Sequence, residues 1–511
     1  VNSKFNRRDF LKLTALLTLS SSGLVKAFSS VTAQSGKSSQ PNILIIVFDA
    51  LSAMHLPLYG YARDTAPNFS RFAEKATVFH NHYAGGNFTT PGTASLLTGT
   101  FPWSHRATNM RGGVTDNFIS KNIFAIPPTG TYTNSFTHNF LALVLLYQFR
   151  KNLNNLIMPR KLAVTDLEYS DLFFKRDYNT AHTSEYLTLQ GDKIWNGSLF
   201  LSYIYRWMDQ TKKDAINTQN KDQYPLGVGG HDPEYFLLPK AIDLAIEQTK
   251  TMPQPYLAYF HFLPPHEPYA PNKEFSGFFN DSYAPTEKPP SFVTAGFKER
   301  VLNTYRRKYD RYVAYTDSEF GRLLSALESA GVLSNTYVFL TSDHGELFER
   351  GIYGHSTPVF YESIARVPLI VSKPNTQAHE DVYAHTSAVD VVPTVASIYG
   401  QPSPQWSEGR VLPTFSSQAE SSDRPVFAVD SKEHSKFGPL EKGSFMVVQG
   451  DYKLVRYTDF LGQDELFNVV KDPDELDNLI QKEPDKAAAL QELISQKLDQ
   501  ANQPLRSSKS Q

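Results

Sequence analysis

The sequence predicts an α/β fold with a mostly parallel central sheet flanked by helices, followed by a small α+β subdomain. Three observations carry that prediction. Residues 42–48, 256–262 and 335–341 are almost continuously apolar, the pattern of strands covered on both faces. Between them lie stretches with apolar residues at helical spacing, clearest over 309–324. Beyond residue 440, short strand-like runs precede one helix-like run, and segregation of that kind points to α+β structure.

The 511 residues, 41% hydrophobic and 13% aromatic, can bury a sizeable core. With 50 Lys and Arg against 52 Asp and Glu, the chain carries no nucleic-acid or polybasic membrane footprint. Cysteine is absent, which excludes disulfides, thiolate metal sites and a cysteine nucleophile. Asn6-Arg7-Arg8-Asp9-Phe10-Leu11-Lys12 precedes a modestly apolar run over 13–25, and Val31-Thr32-Ala33 offers a cleavage site. Residues 1–33 therefore read as an export signal and 34–40 as a polar linker. The signal resembles the twin-arginine type. That resemblance implies the twin-arginine export machinery as a partner and a periplasmic or extracellular bacterial destination. No later run reaches the roughly 18–20 apolar residues of an integral membrane span; 140–149 is too short and reads as a buried helix.

The elements follow in order. The strand at 42–48 ends at Asp49, and ligands of open α/β sheets gather at strand carboxyl ends. Residues 65–76 read as a loop and an amphipathic helix. Residues 78–83 read as a strand placing His80 and His82 on one face, in structural roles. Residues 87–99 read as a loop entering a helix. Thr90 is its expected N-cap, Pro91 its first helical residue and Gly99 its stop, with Leu96 and Leu97 facing a core. Thr89 then stands just ahead of a helix N-terminus, where free N–H groups and the dipole favour an anion. A hydroxyl beside an anion site suits transfer of a sulfuryl or phosphoryl group; taken alone, the same pattern also describes an ordinary capped helix.

Residues 131–138 read as a strand and 140–149 as the helix after it. Residues 150–235 show no motif and read as an insertion. The strand at 256–262 runs into Leu263-Pro264-Pro265-His266-Glu267-Pro268; His261, inside it, reads as a packing residue. The strand at 335–341 ends in Ser342-Asp343-His344-Gly345. Asp343 and His344 supply hard oxygen and borderline nitrogen, and with Asp49 they make a divalent-cation site. Asp390 is expected to cap a helix. Residues 402–423 are polar and mark a boundary between a domain over 41–400 and a subdomain over 401–511.

Asp49 at a strand end, the Pro67-Asn68-Phe69 helix, and Pro91 followed by Leu96-Leu97-Thr98-Gly99 together resemble the sulfatase family of the alkaline phosphatase superfamily. The family pattern is C/S-x-P-S-R-x-x-L-L-T-G. Aligned on Pro91, Thr89 takes the Cys/Ser position, and Gly92-Thr93 replace Ser-Arg. The paired aspartates after the first strand are here Asp49-Ala50. The resemblance implies an alkaline-phosphatase-like sheet and a metal-dependent hydrolase of anionic sulfate or phosphate-type esters. It implies Thr89 as nucleophile and metal ligand, with Asp49, Asp343 and His344 around one divalent ion. Zinc or manganese is favoured there, and calcium is an alternative. His266, in a Pro-His-x-Pro setting, and His355 are the implied acids or anion ligands. Phe136-Thr137-His138-Asn139 stands where sulfatases carry Gly-Lys-Trp-His, making His138 and Asn139 candidate substrate contacts. Threonine does not match the substrate of formylglycine modification, so a phosphodiester or phosphonate ester is favoured over a sulfate ester. Threonine enzymes of the superfamily include lipid-headgroup phosphotransferases and phosphodiesterases. A true sulfatase using unmodified Thr89, a phosphoryl-headgroup transferase and a non-catalytic binding protein on the same fold are the alternatives.

Overall fold

The computed structural model describes residues 40–164 and 200–507, apart from 111, 232–233, 417–422 and 433–436. The export-signal segment, the linker up to residue 39 and residues 165–199 of the insertion lie outside the described residues. The described residues from 41 onward form one compact unit.

Its centre is an eight-stranded sheet. The strands are β1 (Asn42–Phe48), β2 (Thr77–Phe79), β3 (Tyr132–Thr137), β4 (Asn155–Ile157), β5 (Tyr256–Phe262), β6 (Thr336–Thr341), β7 (Leu369–Ser372) and β8 (Glu380–Val382). They lie in the order β8-β2-β7-β6-β1-β5-β3-β4. All run parallel except β7, which opposes both its neighbours. β1 pairs with β5 on one side and β6 on the other, so β6, β1, β5 and β3 end side by side.

Alternation along β1 explains its apolar run. Ile43, Ile45 and Val47 pack under Leu96 and Leu97 of α2 (Thr89–Thr98), Leu145 of α3 (Phe140–Phe149) and Val391 and Val395 of α7 (Val391–Ile398). Leu44, Ile46 and Phe48 pack against Phe69 of α1 (Pro67–Ala73), Ile242 of α4 (Leu238–Thr251) and Tyr309 and Phe320 of α5 (Glu299–Ser329). Each such side chain stabilises the fold by about 1.5–3 kcal/mol. A one-residue slip would turn both sets to the wrong side and carry Asp49 with them.

Two local expectations are corrected. α2 begins at Thr89 itself, with extended Phe88 at the N-cap and no side-chain cap; the Thr90 hydroxyl is buried without a partner. Pro91 is tolerated at the third helical position because every N–H of the first turn lacks an intrahelical acceptor. Gly99 ends the helix in the left-handed region, at φ 69°. The strand expected over 78–83 is broken by a turn after Phe79 and resumes at His82. His80 then bonds Asp381 near the surface while His82 is buried against Thr386, so the two do not share a face. Asp390 does lie at a helix start, in a capping box with Ser387. Among the described residues no helix is long and apolar enough to cross a membrane.

The C-terminal strands β9 (Val426–Asp430), β10 (Ser444–Gln449), β11 (Tyr452–Tyr457) and β12 (Glu465–Asn468) form an antiparallel sheet in chain order. β9 is one strand more than the sequence suggested. Leu490 and Ile494 of α8 (Pro484–Ser507) cover one face. The other face packs on Ile364 of α6 (Glu362–Ala365) and on Tyr361 just before it. α6 in turn backs the loop after β6: Gly345 N–H donates to the Ile364 carbonyl at 2.8 Å and Glu346 N–H to Ser363 at 3.0 Å. Lys453 of β11 ties these parts together. Wholly buried, it donates to Glu362 Oε1 at 2.8 Å and pairs with Glu475.

Replacing Lys453 with Ala leaves two buried carboxylates without their cation. We expect a loss of about 3–5 kcal/mol, read by urea unfolding.

Candidate active site

Strand ends deliver the site. Asp49 follows β1, His261 is the penultimate residue of β5, Asp343 and His344 follow β6, and Asn139 follows β3. Thr89 opens α2 above them. All are buried, and Asp49, His261, Asp343 and His344 are fully so.

The atoms converge. His261 Nε2 is 3.1 Å from Asp49 Oδ2 and 3.8 Å from Asp343 Oδ2. His344 Nε2 is 3.4 Å from Asp49 Oδ1 and 3.7 Å from Asp343 Oδ2. Thr89 Oγ1 is 3.4 Å from His344 Nε2. Asn139 Nδ2 donates to Asp49 Oδ2 at 2.5 Å and to Thr89 Oγ1 at 3.1 Å. Among the described residues neither carboxylate pairs with a lysine or arginine.

The tautomers follow from the partners. A carbonyl only accepts, so His344 Nδ1–H donates to Gly345 O at 2.9 Å, leaving Nε2 toward the carboxylates. His261 Nδ1 is engaged by the Tyr259 hydroxyl at 3.0 Å, which again leaves Nε2 toward them. Outer partners of this kind orient metal-ligating imidazoles.

Charge is redistributed accordingly. Burial alone would raise the Asp49 carboxyl, yet the bond with His261, the charge of His266 and the nearby His344 hold it well below the usual range. Burial would likewise lower His344, but the Asp343 and Asp49 charges push it up to about 9.

The backbone around these groups is tightly held. Ala50 adopts φ 58°, a left-handed conformation that costs a non-glycine residue roughly 1–2 kcal/mol. Its N–H points at Asp343 Oδ1, 3.3 Å away, and its carbonyl accepts from Tyr309 Oη at 2.6 Å. The same Tyr309 oxygen accepts from Ser52 N–H, and Leu51 N–H donates to Ser342 Oγ. α2 presses directly on the second loop. A Cβ on Gly92 would lie 2.1 Å from the Asp343 carbonyl oxygen, and Thr93 Oγ1 is 3.3 Å from Asp343 Oδ2.

The remaining candidates form a second ring. The His355 ring is 4.4 Å from His344 and 4.7 Å from His266; His266 Nδ1–H donates to the Glu267 carbonyl. Burial and the charges of His344 and His266 push His355 well below its ordinary value. His138 is stacked on Phe236 at 3.6 Å, with neither ring nitrogen hydrogen-bonded. Its neighbour Asn139 bonds members of the cluster; His138 bonds none.

Sequence reasoning missed His261. It does not simply pack: Asp49, His261 and Asp343 can each offer a ligand atom within 4.8 Å of the others. One signal was available, an ionisable residue inside an otherwise apolar strand and close to its carboxyl end. Glu346, bonded to His355 Nδ1 at 3.0 Å, was also passed over.

A divalent cation fits these residues. Asp49 Oδ1 is buried without a hydrogen bond. Two imidazole nitrogens and two carboxylates make a mixed nitrogen and oxygen donor set for a divalent ion.

Comparison with known proteins agrees with this architecture. The choline-sulfatase of Rhizobium meliloti is 25% identical over 466 residues, covering 86% of this chain and 82% of that protein. Arylsulfatase K of Bos taurus is 31% identical over 214 residues, a match spanning only 39% of this chain and 38% of that one. The phosphonate monoester hydrolase of Agrobacterium radiobacter shares the fold, with a TM-score of 0.65 at 18% identity over 92% of this chain and 96% of that one. Residues 349–504 match the C-terminal model of N-sulphoglucosamine sulphohydrolase. Residues 41–400 match the sulfatase model, a span that holds the whole eight-stranded sheet, Thr89 and the Asp343–His344 loop, and the chain therefore belongs to the sulfatase family.

Proposed function

We propose that this protein is an exported, metal-dependent hydrolase that cleaves a phosphodiester, phosphonate or sulfate ester through a covalent intermediate on Thr89. The observation that carries the reading is the position of Thr89 Oγ1, 3.4 Å from His344 Nε2 and 3.1 Å from Asn139 Nδ2, at the edge of a buried carboxylate–imidazole cluster.

Asp49, His261, Asp343 and His344 would hold the cation, with Thr89 beside them. Such an ion supplies positive charge that favours the ionised hydroxyl and the anionic ester. The Thr89 hydroxyl gives up its proton to solvent, and its oxygen attacks phosphorus or sulfur. The bond to the leaving oxygen breaks, and His355 or His266 protonates that oxygen. Asn139 donates to Thr89 and holds its side chain in line. Water then attacks the phosphorus or sulfur, the bond to Thr89 Oγ1 breaks, and that oxygen takes back a proton from solvent.

Residue chemistry favours phosphorus. Threonine lacks the second hydroxyl through which formylglycine expels sulfate, so its ester must be opened at the central atom, a route familiar for phosphoryl groups. Thr93, where the family carries arginine, leans on Asp343 instead. A sulfate monoester is the second reading, supported by the sulfatase names of the relatives found by sequence.

The experiment is hydrolysis of aryl phosphodiester, phosphonate and sulfate esters by wild type and Thr89→Ala, with metal content measured in both. Thr89→Ala should lose activity on the order of 10³-fold or more; full activity would reduce Thr89 to a helix residue. Turnover of sulfate esters alone would establish the second reading.

His261→Ala should weaken zinc binding by more than the roughly 10–100-fold that an outer partner is worth, read by competition with a chelator. Because the metal-free His344 holds its proton up to about pH 9, an incoming ion must displace it. Apparent affinity for zinc should therefore rise with pH, by about tenfold per unit below that value, with one proton released on binding as followed by calorimetry in two buffers.

A further inference from the structure

Glu346 is wholly buried, and the reaction outlined above gives it no task. Its backbone is fixed, since its N–H donates to Ser363 and the preceding Gly345 packs so closely that a Cβ would lie 2.0 Å from the Ser363 carbonyl oxygen. Its Oε1 stands 3.0 Å from His355 Nδ1, and its Oε2 has no hydrogen-bond partner. A carboxyl group is a costly filler for a protein interior unless it acts on a neighbour.

The contact decides which nitrogen of His355 is available. Nδ1 shares a proton with the carboxyl group, so Nε2 is the nitrogen left over. The ring itself stands against His344, whose Nε2 faces Thr89. When the pair holds two protons, one lies between Glu346 and Nδ1 and the other is on Nε2. This is true whichever partner owns the shared proton.

We propose that Glu346 is a positioning residue for His355, fixing the tautomer in which Nε2 delivers the proton to the leaving oxygen. The inference rests on the reading of His355 as the leaving-group acid. As the bond from Thr89 Oγ1 to phosphorus or sulfur forms, the bond to the leaving oxygen breaks. The electron pair stays on that oxygen, which takes the Nε2 proton. His355 keeps its Nδ1–H against the Glu346 carboxylate. Its bare Nε2 then accepts a proton from the water that opens the Thr89 ester, and the pair returns to its starting state. Glutamine brings neither the charge nor the proton of the carboxyl group, so the two-proton state is harder to reach: if its amide accepts from Nδ1–H, Nε2 of the neutral ring carries no proton, and if it donates, Nε2–H has no second proton behind it.

The test uses aryl esters of whichever class the wild type turns over, with 4-nitrophenol and unsubstituted phenol as leaving groups. For Glu346→Gln we expect kcat on the phenyl ester to fall on the order of 100-fold and on the 4-nitrophenyl ester by less than about tenfold, since a good leaving group needs little help from an acid. KM should change by less than about threefold, and metal content should match wild type. His355→Gln should show the same steepening, and adding Glu346→Gln to it should cost nothing further. Equal losses on both esters, no loss, or a loss that tracks missing metal would overturn the role of Glu346 while leaving His355 in place. If His355→Gln itself shows no steepening, the acid assignment falls and this inference with it. Should Glu346→Gln fail to fold, Glu346→Asp withdraws the carboxyl group by one methylene; it should steepen the profile in the same direction, and a flat profile would overturn the proposal.

Discussion

Burying Asp49 and Asp343 side by side, with no lysine or arginine against either among the described residues, is the constraint on which the rest of the structure depends. Two carboxylates removed from water repel each other and lose their hydration. Only hydrogen-bond donors or positive charge between or beside them make the arrangement tolerable. The protein supplies His261 and His344, each with its outer nitrogen occupied and its inner one turned toward the acids. The surrounding fold reads as a frame for that compensation. Parallel strands bring the four groups to one edge, Tyr309 grips the turn that follows Asp49, and Gly92 lets α2 seat against the Asp343 carbonyl.

The bracing extends well beyond the sheet. The Gly345–Glu346 loop hangs on α6, α6 is held by Lys453, and Lys453 belongs to the C-terminal sheet. A segment that looks like an appendage in the chain thus stands behind the loop that carries two of the four clustered residues. The match of residues 349–504 to a C-terminal sulphohydrolase model begins just after that loop.

Much of this was legible in the sequence because the informative signals are local. Doubly covered strands must be apolar throughout, so β1, β5 and β6 announced themselves, and the residues closing β1 and β6 stood out as charged against that background. Helix starts are less sharply written. Thr90 and Pro91 suit a cap and a first residue, yet a proline fits anywhere in the first turn, and the extended backbone of Phe88 set the boundary instead. His261 was hidden for a different reason. A histidine within a strand is ordinary, and what makes this one special is its register beside Val47 and hence its distance from Asp49, a property of pairing across 212 residues. Glu346 was illegible on the same ground, since its partner is brought to it by the short hairpin that closes between Leu347 and Gly354.

Asn139 has a consequence for Thr89. Its side-chain oxygen is committed to the amides of Leu141 and Ala142 at the start of α3, so the amide cannot rotate end over end. It can only show hydrogens to Thr89 Oγ1. On its other side that oxygen meets His344 Nε2, a nitrogen turned toward the carboxylates. Asn139 thus reserves one lone pair of Thr89 Oγ1 as an acceptor, and the short polar cap of one helix sets the hydrogen-bonding role of the residue that begins another.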